Sequence, residues 1–270
     1  MTSHDVVAAV RRRFKIKAVG HTGTLDPFAT GLLVVVVGGA TRLARFVEAE
    51  RKTYLATARL GFATTTDDAT GEALGEAWTG DWPGRAQVAA ALERFVGRID
   101  QRPPAYSAKK VDGVRSYALA RQGRAVELKS ATVSIDRVAV VDYAPPVVSW
   151  RATVGPGTYL RAMARDLGAS LGTGGHLMGL RRESVGSFAV ADASALDGLT
   201  GTERLIDPLA LLGSMARVPV SAEEADRLRH GQRVGRAEGP DLAALVLEGQ
   251  LVAVGAAADG AWQPVVVMAA

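Results

Sequence analysis

Gly20-His21-Thr22-Gly23-Thr24-Leu25-Asp26-Pro27-Phe28-Ala29-Thr30-Gly31 runs directly into the apolar stretch Leu32 to Val37. Glycines, one proline and a single carboxylate share this loop, and the run behind it reads as a fully buried strand. Such packing would hold Asp26 rigidly at the edge of a core, on a loop whose glycines allow close approach to something else. Asp-Pro pairs taken alone usually start turns. The whole string is rarer than the pair.

Working outward, Thr2 and Asp5 have capping-box spacing, and Val6, Val7, Val10 and Phe14 mark one helical face behind them. A short helix is expected near Ala40–Glu48. Residues 54–61 alternate as a strand, with Tyr54, Ala56, Ala58 and Leu60 on one side. Helices follow over Gln87–Val96, closed by Gly97, and over Ser116–Gln122, where Gly123 suits a left-handed cap. Ala131–Tyr143 and Val147–Val154 read as strands separated by Pro145-Pro146, which can continue neither. Thr158–Leu171 reads as a helix with Leu160, Met163, Ala164 and Leu167 inward, ended by Gly172. Strand resumes at Val185–Val190, a helical connector covers 192–213, and a helix over Ala222–Arg229 precedes short strands at 243–247, 251–254 and 265–268. Strands and helices mix without regular βαβ alternation. The fold class is therefore α+β, with a mixed, largely antiparallel sheet.

A chain of 270 residues holds a large domain, alone or with a smaller one; the change of composition near Arg217 places the boundary at 213/214. Hydrophobic content of 48% supplies a core, and no apolar run approaches a membrane span. With no cysteine, disulfides and thiolate chemistry are excluded. The N-terminus has no secretory pattern, so a cytoplasmic location is expected. Net charge is only +4, but residues 1–59, 98–137 and 151–182 carry surpluses of six, five and four positive charges. The loop lies in the first of these segments, as a polyphosphate partner would require. The remaining long segments are acidic.

Further blocks follow the loop: Lys52-Thr53-Tyr54 with Ala58-Arg59-Leu60-Gly61, and Thr64-Thr65-Thr66-Asp67-Asp68-Ala69-Thr70-Gly71. Pro103-Pro104-Ala105-Tyr106-Ser107-Ala108-Lys109-Lys110, Gly157-Thr158-Tyr159-Leu160-Arg161 and Leu180-Arg181-Arg182 complete the set. In order and spacing these resemble the motifs of the TruB family, bacterial synthases that make pseudouridine in the T-loop of tRNA. The resemblance covers residues 2 to about 190. It implies a central sheet crossed by the active-site cleft. The tail from 214 resembles, more weakly, a small β-rich appendage of the PUA type, though its charge of −2 argues against strong RNA contact.

The resemblance also implies the chemistry. Isomerising uridine breaks N1–C1′ and joins the sugar to C5, which needs a carboxylate beside the sugar as nucleophile or as base. Carboxylates do related work at the oxocarbenium-like centre of glycoside hydrolysis. Asp26 matches that carboxylate, in either role, and Arg161 matches the arginine that would keep it charged and aimed. Tyr54 matches the tyrosine that stacks on a flipped base, Tyr159 would help line the pocket, and Leu180 matches an apolar wall. His21 would occupy the space left by flipped bases, and Asp68 matches a position in the active-site network. Lys109, Lys110, Arg181 and Arg182 are candidate phosphate contacts.

No cofactor or metal is expected: His4, His21, His176 and His230 lack metal-ligand spacing, and neither a P-loop nor a dinucleotide fingerprint is present. The expected partner is the tRNA T-arm, met by a monomer with no membrane association. Two other readings compete. One is a tRNA-binding or folding factor with weak or no catalysis; the other is a carboxylate glycosidase, disfavoured because Trp78, Trp82, Trp150 and Trp262 do not cluster in sequence and no second acid pairs with Asp26. Family members usually carry a strand and a Lys-Pro-x-Gly segment ahead of the Thr-Ser that is here Thr2-Ser3. On that comparison a sheet edge or groove is expected to lie uncovered, with the natural start upstream.

Overall fold

The computed structural model describes residues 1–107, 110–111, 114–115, 128–235 and 239–268. The helix expected over 116–122 and the candidate phosphate contact Lys109 lie outside the described residues. Thr2 caps α1 (Ser3–Phe14) as its spacing predicts: the hydroxyl accepts from the Asp5 N–H, and the Asp5 carboxylate accepts from the Thr2 N–H at 2.7 Å. Val7 and Val10 of this helix pack on Val19, the first residue of β1 (Val19–His21). The Gly-rich loop then leads through β2 (Thr30–Gly31) to β3 (Val35–Val37), which returns antiparallel to β1.

Leu32 to Val37 is therefore not one buried strand. Leu32, Val34 and Val36 are buried in one apolar cluster, while the alternate residues Val35 and Val37 are half-buried against the smaller cluster of Val7, Val10 and Val19. A 3₁₀ segment over Gly38–Leu43 precedes α2 (Ala44–Glu48), so the helix expected at 40–48 forms only in its second half.

Next come β4 (Lys52–Leu60), the small hairpin of β5 (Ala63–Thr64) and β6 (Ala73–Leu74), α3 (Arg85–Glu93) and β7 (Gly97–Gln101). A further short pair, β8 (Lys110–Val111) and β9 (Val114–Arg115), precedes β10 (Ala131–Ala144) and β11 (Val147–Val154). Pro145 and Pro146 make the two-residue turn between the last two strands, where no ladder N–H is needed. Then follow α4 (Leu160–Ser170), β12 (Gly175–Val185) and β13 (Phe188–Ala189). The expected strand at 185–190 is in fact a hairpin, with Val185 ending β12, a turn at Gly186-Ser187 and β13 at Phe188–Ala189. The true strand ends where that one was expected to start, and its Gly175, His176, Gly179 and paired arginines hide it from a propensity reading.

The central sheet has strand order β13-β12-β4-β11-β10-β7, antiparallel throughout, with β2 pairing parallel to β12. One face is apolar. Tyr54, Ala56, Ala58 and Leu60 of β4 point into it beside Trp150 and Ala152 of β11, under Val88 and Leu92 of α3 and Leu160, Met163, Ala164 and Leu167 of α4. Each fully buried Leu or Met side chain contributes about 1.5–3 kcal/mol. The opposite face is polar, with Thr53 against Thr153, Thr57 against Ser149, and Arg151 forked onto Glu183.

Residues 192–213 hold no α-helix, only 3₁₀ turns at Leu196–Gly198 and Pro208–Leu212. β14 (Arg217–Pro219), α5 (Ala222–Arg229), β15 (Leu242–Leu247), β16 (Gln250–Ala258) and β17 (Ala261–Val267) then build a four-stranded sheet in chain order. Trp262, Leu228 and Leu245 fill one face of it, and Ala244, Val254 and Val266 join Leu32 and Leu43 in an apolar cluster shared with the first part of the chain.

Candidate active site

Asp26 sits where the Gly-rich loop meets the N-terminal turn of α4. Arg161 Nε donates to Asp26 Oδ2 and Nη2 to Asp26 Oδ1, both at 2.9 Å, a bidentate fork. The arginine side chain is 6% exposed, whereas that of Asp26 is 29% exposed. The cation is thus enclosed in protein while the carboxylate keeps an open side for a substrate. The expectation that Arg161 pairs with Asp26 is met in geometry; it is not the surface arginine that its helix alone suggests.

The same guanidinium reaches further. Nη1 lies 3.6 Å from Asp68 Oδ2 and donates to the Thr66 carbonyl, and Nη2 donates to the Tyr106 carbonyl. Asp68 is buried and collects the Thr66 hydroxyl at 2.7 Å, the Thr70 hydroxyl at 2.6 Å and the Thr70 N–H at 3.0 Å, all on Oδ1. This explains the threonine-rich block: short hydroxyl side chains satisfy a buried carboxylate from its own turn. The loop is tied to the sheet by the Ala69 N–H on the Leu177 carbonyl and the Leu177 N–H on the Asp67 carbonyl.

Tyr54 and Leu180 are both buried in the apolar face, together with Leu25, Phe28 and Ala29 of the Gly-rich loop. They lie beside the site on adjacent strands β4 and β12, in the registers Tyr54↔Arg182 and Ala56↔Leu180. Tyr159 forms the residue before α4; its N–H donates to Gln101 Oε1 and its carbonyl accepts from Gln101 Nε2, which anchors the start of the helix. Burial pushes the Tyr159 phenol above its usual range. His21 closes β1; burial pushes its imidazole down toward the neutral form, and its Nδ1 has no hydrogen-bond partner among the described residues.

The two arginines of the Leu-Arg-Arg block differ. Arg181 is exposed, as a phosphate contact would be. Arg182 is 1% exposed and cannot meet a phosphate on the surface. Its Nε donates to the Leu32 carbonyl at 2.7 Å and Nη2 to the Gly23 carbonyl at 3.2 Å, while its own carbonyl accepts from the Leu32 N–H. Arg182 therefore clasps both ends of the loop that carries Asp26. No carboxylate among the described residues comes within ion-pair distance of it. Leu180 and Arg182 share a face of β12, but with that strand not expected from the sequence no alternation signalled it. Gly31 fits the same contact: its φ is +97°, and a Cβ there would lie 2.2 Å from the Arg182 carbonyl oxygen.

Of the tryptophans, Trp150 and Trp262 are core residues. Trp78 and Trp82 both meet Gly61, the first through its N–H on the Gly61 carbonyl and the second with its ring against the glycine.

The TruB family pseudouridylate synthase (N terminal domain) profile matches residues 11–160. A protein of Thermobifida fusca called tRNA pseudouridine synthase B is 46% identical over 99% of this chain and 94% of its own length. One of the same name from Symbiobacterium thermophilum is 47% identical over 86% of this chain and 78% of its own length. Among solved structures, an archaeal box H/ACA sRNP Nop10-Cbf5 complex aligns with a TM-score of 0.74 at 22% identity, over 99% of this chain and 82% of that one. That likeness is one of fold. The motif matches and the identity across nearly the whole length together show that the chain belongs to the TruB family of pseudouridylate synthases.

Proposed function

We propose that this chain converts a specific uridine in the T-loop of tRNA to pseudouridine, with Asp26 as the carboxylate that acts at the sugar. The observation that carries the reading is the forked Asp26–Arg161 pair, closed on the arginine side and open on the carboxylate side. A fixed guanidinium holds both carboxylate oxygens in one plane at no reorganisation cost when charge develops on the substrate.

The target base must leave its stack, at a cost of a few kcal/mol, to reach this site. Tyr54 and Leu180 supply an aromatic face and an apolar wall beside Asp26 to offset that cost. Asp26 then attacks C1′ or removes a proton from the sugar. The N1–C1′ bond breaks with its electron pair on N1, the base turns, C5 bonds to C1′ as Asp26 leaves the sugar or returns its proton, the C5 proton is lost and N1 takes one up. The product has the composition of uridine, so no redox partner or co-substrate enters. Asp68 braces Arg161 from behind. His21, neutral and stacked in the space of displaced bases, Tyr159 in the pocket wall, and Lys109 and Arg181 on the phosphates complete the proposed contacts.

The same reading makes the protein a monomer that meets tRNA in the cytoplasm, with residues 1–213 catalytic and 214–270 an appendage. No helix among the described residues is long and apolar enough to cross a membrane. The appendage reading is supported by the separate apolar face under Trp262. The test is to incubate the protein with an unmodified tRNA transcript and map pseudouridine at nucleotide resolution. One product in the T-loop, absent when that uridine is replaced by cytidine, is expected. Product elsewhere, or tRNA binding without product, would overturn the reading.

A further inference from the structure

A second ion pair lies behind the catalytic cluster. Arg165 follows Arg161 by one helical turn, so α4 presents both guanidiniums on one side. The threonine-rich loop answers with consecutive carboxylates. Arg165 Nη1 pairs with Asp67 Oδ2 at 2.9 Å, as Arg161 Nη1 faces Asp68 Oδ2 at 3.6 Å. Neighbouring side chains of an extended strand would point to opposite faces. Here Asp67 has φ +60°, and the left-handed kink lets both carboxylates reach the same helix.

The two arginines also grip the segment before Ser107 at two points. Arg165 Nη2 donates to the Arg102 carbonyl, and Arg161 Nη2 donates to the Tyr106 carbonyl, both at 2.9 Å. Helix, loop and segment are thus laced together twice, one level at Asp26 and one level behind it. Asp166 adds a second carboxylate on Arg165 Nε at 2.8 Å. Asp67 and Arg165 are largely enclosed, with side chains 13% and 17% exposed, and no hydrogen bond or ion pair joins either to Asp26. Burial pushes the Asp67 carboxyl up, against the pull of Arg165.

We propose that Asp67 and Arg165 are positioning residues for the isomerase reaction: their ion pair fixes the loop kink that sets Asp68 against Arg161 and so fixes the plane in which Arg161 presents Asp26. This rests on the functional reading above. The Asp68–Arg161 separation is long for a direct ion pair, so a small shift of the kink would break it. Misplacement of a reacting group by about 1 Å costs up to about a hundredfold in rate.

The test uses Asp67→Asn, which keeps a residue tolerant of positive φ, with Arg165→Met, Arg165→Lys and the double variant Asp67→Asn/Arg165→Met. Single-turnover pseudouridine formation at saturating enzyme and the Kd for tRNA are measured below each variant's melting temperature. Expected is a rate about tenfold lower in Asp67→Asn and Arg165→Met, a Kd within about threefold of the parent, a double variant no slower than the slower single, and substantial recovery in Arg165→Lys. If Arg165→Met does not fold, Asp67→Asn and Arg165→Lys decide. Rates within about twofold of the parent, with only the melting temperature lowered, would reduce the pair to a structural brace and overturn the proposal. So would a Kd that weakens in step with the rate, which would make the pair an RNA contact. An inactive parent would remove the functional reading itself, whereas active parent and unaffected variants would remove only this inference.

Discussion

Arg161 and Arg182 grip the same loop at different points and do different things to it. Arg161 is bound by carboxylates, Asp26 and Asp68, besides the Thr66 and Tyr106 carbonyls, and sets the orientation of one side chain. Among the described residues Arg182 is bound only by carbonyls, those of Gly23 and Leu32, and sets the path of the backbone that delivers that side chain. Both guanidiniums are enclosed in protein. What separates them is the partner: an ion pair tunes chemistry, while a carbonyl clasp tunes position. The loop is short of regular structure, and these two grips replace it.

The comparison breaks most visibly at Arg161. Arg161→Met leaves two carboxylates facing each other in an enclosed site, and should cost about 3 kcal/mol of stability as well as most of the activity. Chemical denaturation checks the first and single-turnover pseudouridine formation the second. Retained activity would show that Asp26 does not need its partner.

Gly31→Ala attacks the other grip without touching a charge. Its Cβ would collide with the Arg182 backbone at a positive φ, so a loss of about 2–3 kcal/mol is expected, seen as a melting temperature lower by about 4–12 °C. Arg182→Met should cost somewhat less, about 2 kcal/mol, because two carbonyls lose their donor but no backbone clash appears. In both, the remaining folded enzyme should still bind tRNA like the parent, which filter binding would check. A large loss of affinity would mean that the clasp also shapes the RNA surface.

The smallest effect sharpens the Arg161 side. Thr70→Val removes one hydroxyl donor from Asp68 and leaves the Thr66 hydroxyl and the Thr70 N–H in place. About 1 kcal/mol of stability and a severalfold fall in rate are expected. An unchanged rate would indicate that Asp68 is held by its turn alone.

Much of this arrangement is legible in the chain. The alternation of Tyr54, Ala56, Ala58 and Leu60 gives β4 its buried face, and the spacing of Leu160, Met163, Ala164 and Leu167 gives α4 its own; both are found as read. The Thr2–Asp5 cap and the Pro145-Pro146 turn are equally local, since each is decided within a few residues. β12 is not legible because nothing in Gly175, His176 or Gly179 favours a strand; its partners β4 and β2 impose the conformation from distant positions. The role of Arg182 is hidden for the same reason. Adjacent arginines look alike until the strand sends one to solvent and the other inward. Asp26 is legible as a candidate through its motif, whereas Asp67 and Arg165 become a pair only when helix and loop meet in space.

The account turns on Asp26 as the group that acts at the sugar. The most direct measurement is tritium release from C5-tritiated uridine in unmodified tRNA by the Asp26→Asn protein, with the tRNA Kd taken on the same preparation. The account predicts a Kd within about threefold of the parent and release at least about a thousandfold slower, because the amide neither attacks nor accepts a proton as the carboxylate does. Release within about tenfold of the parent would contradict it and move the chemistry to another residue.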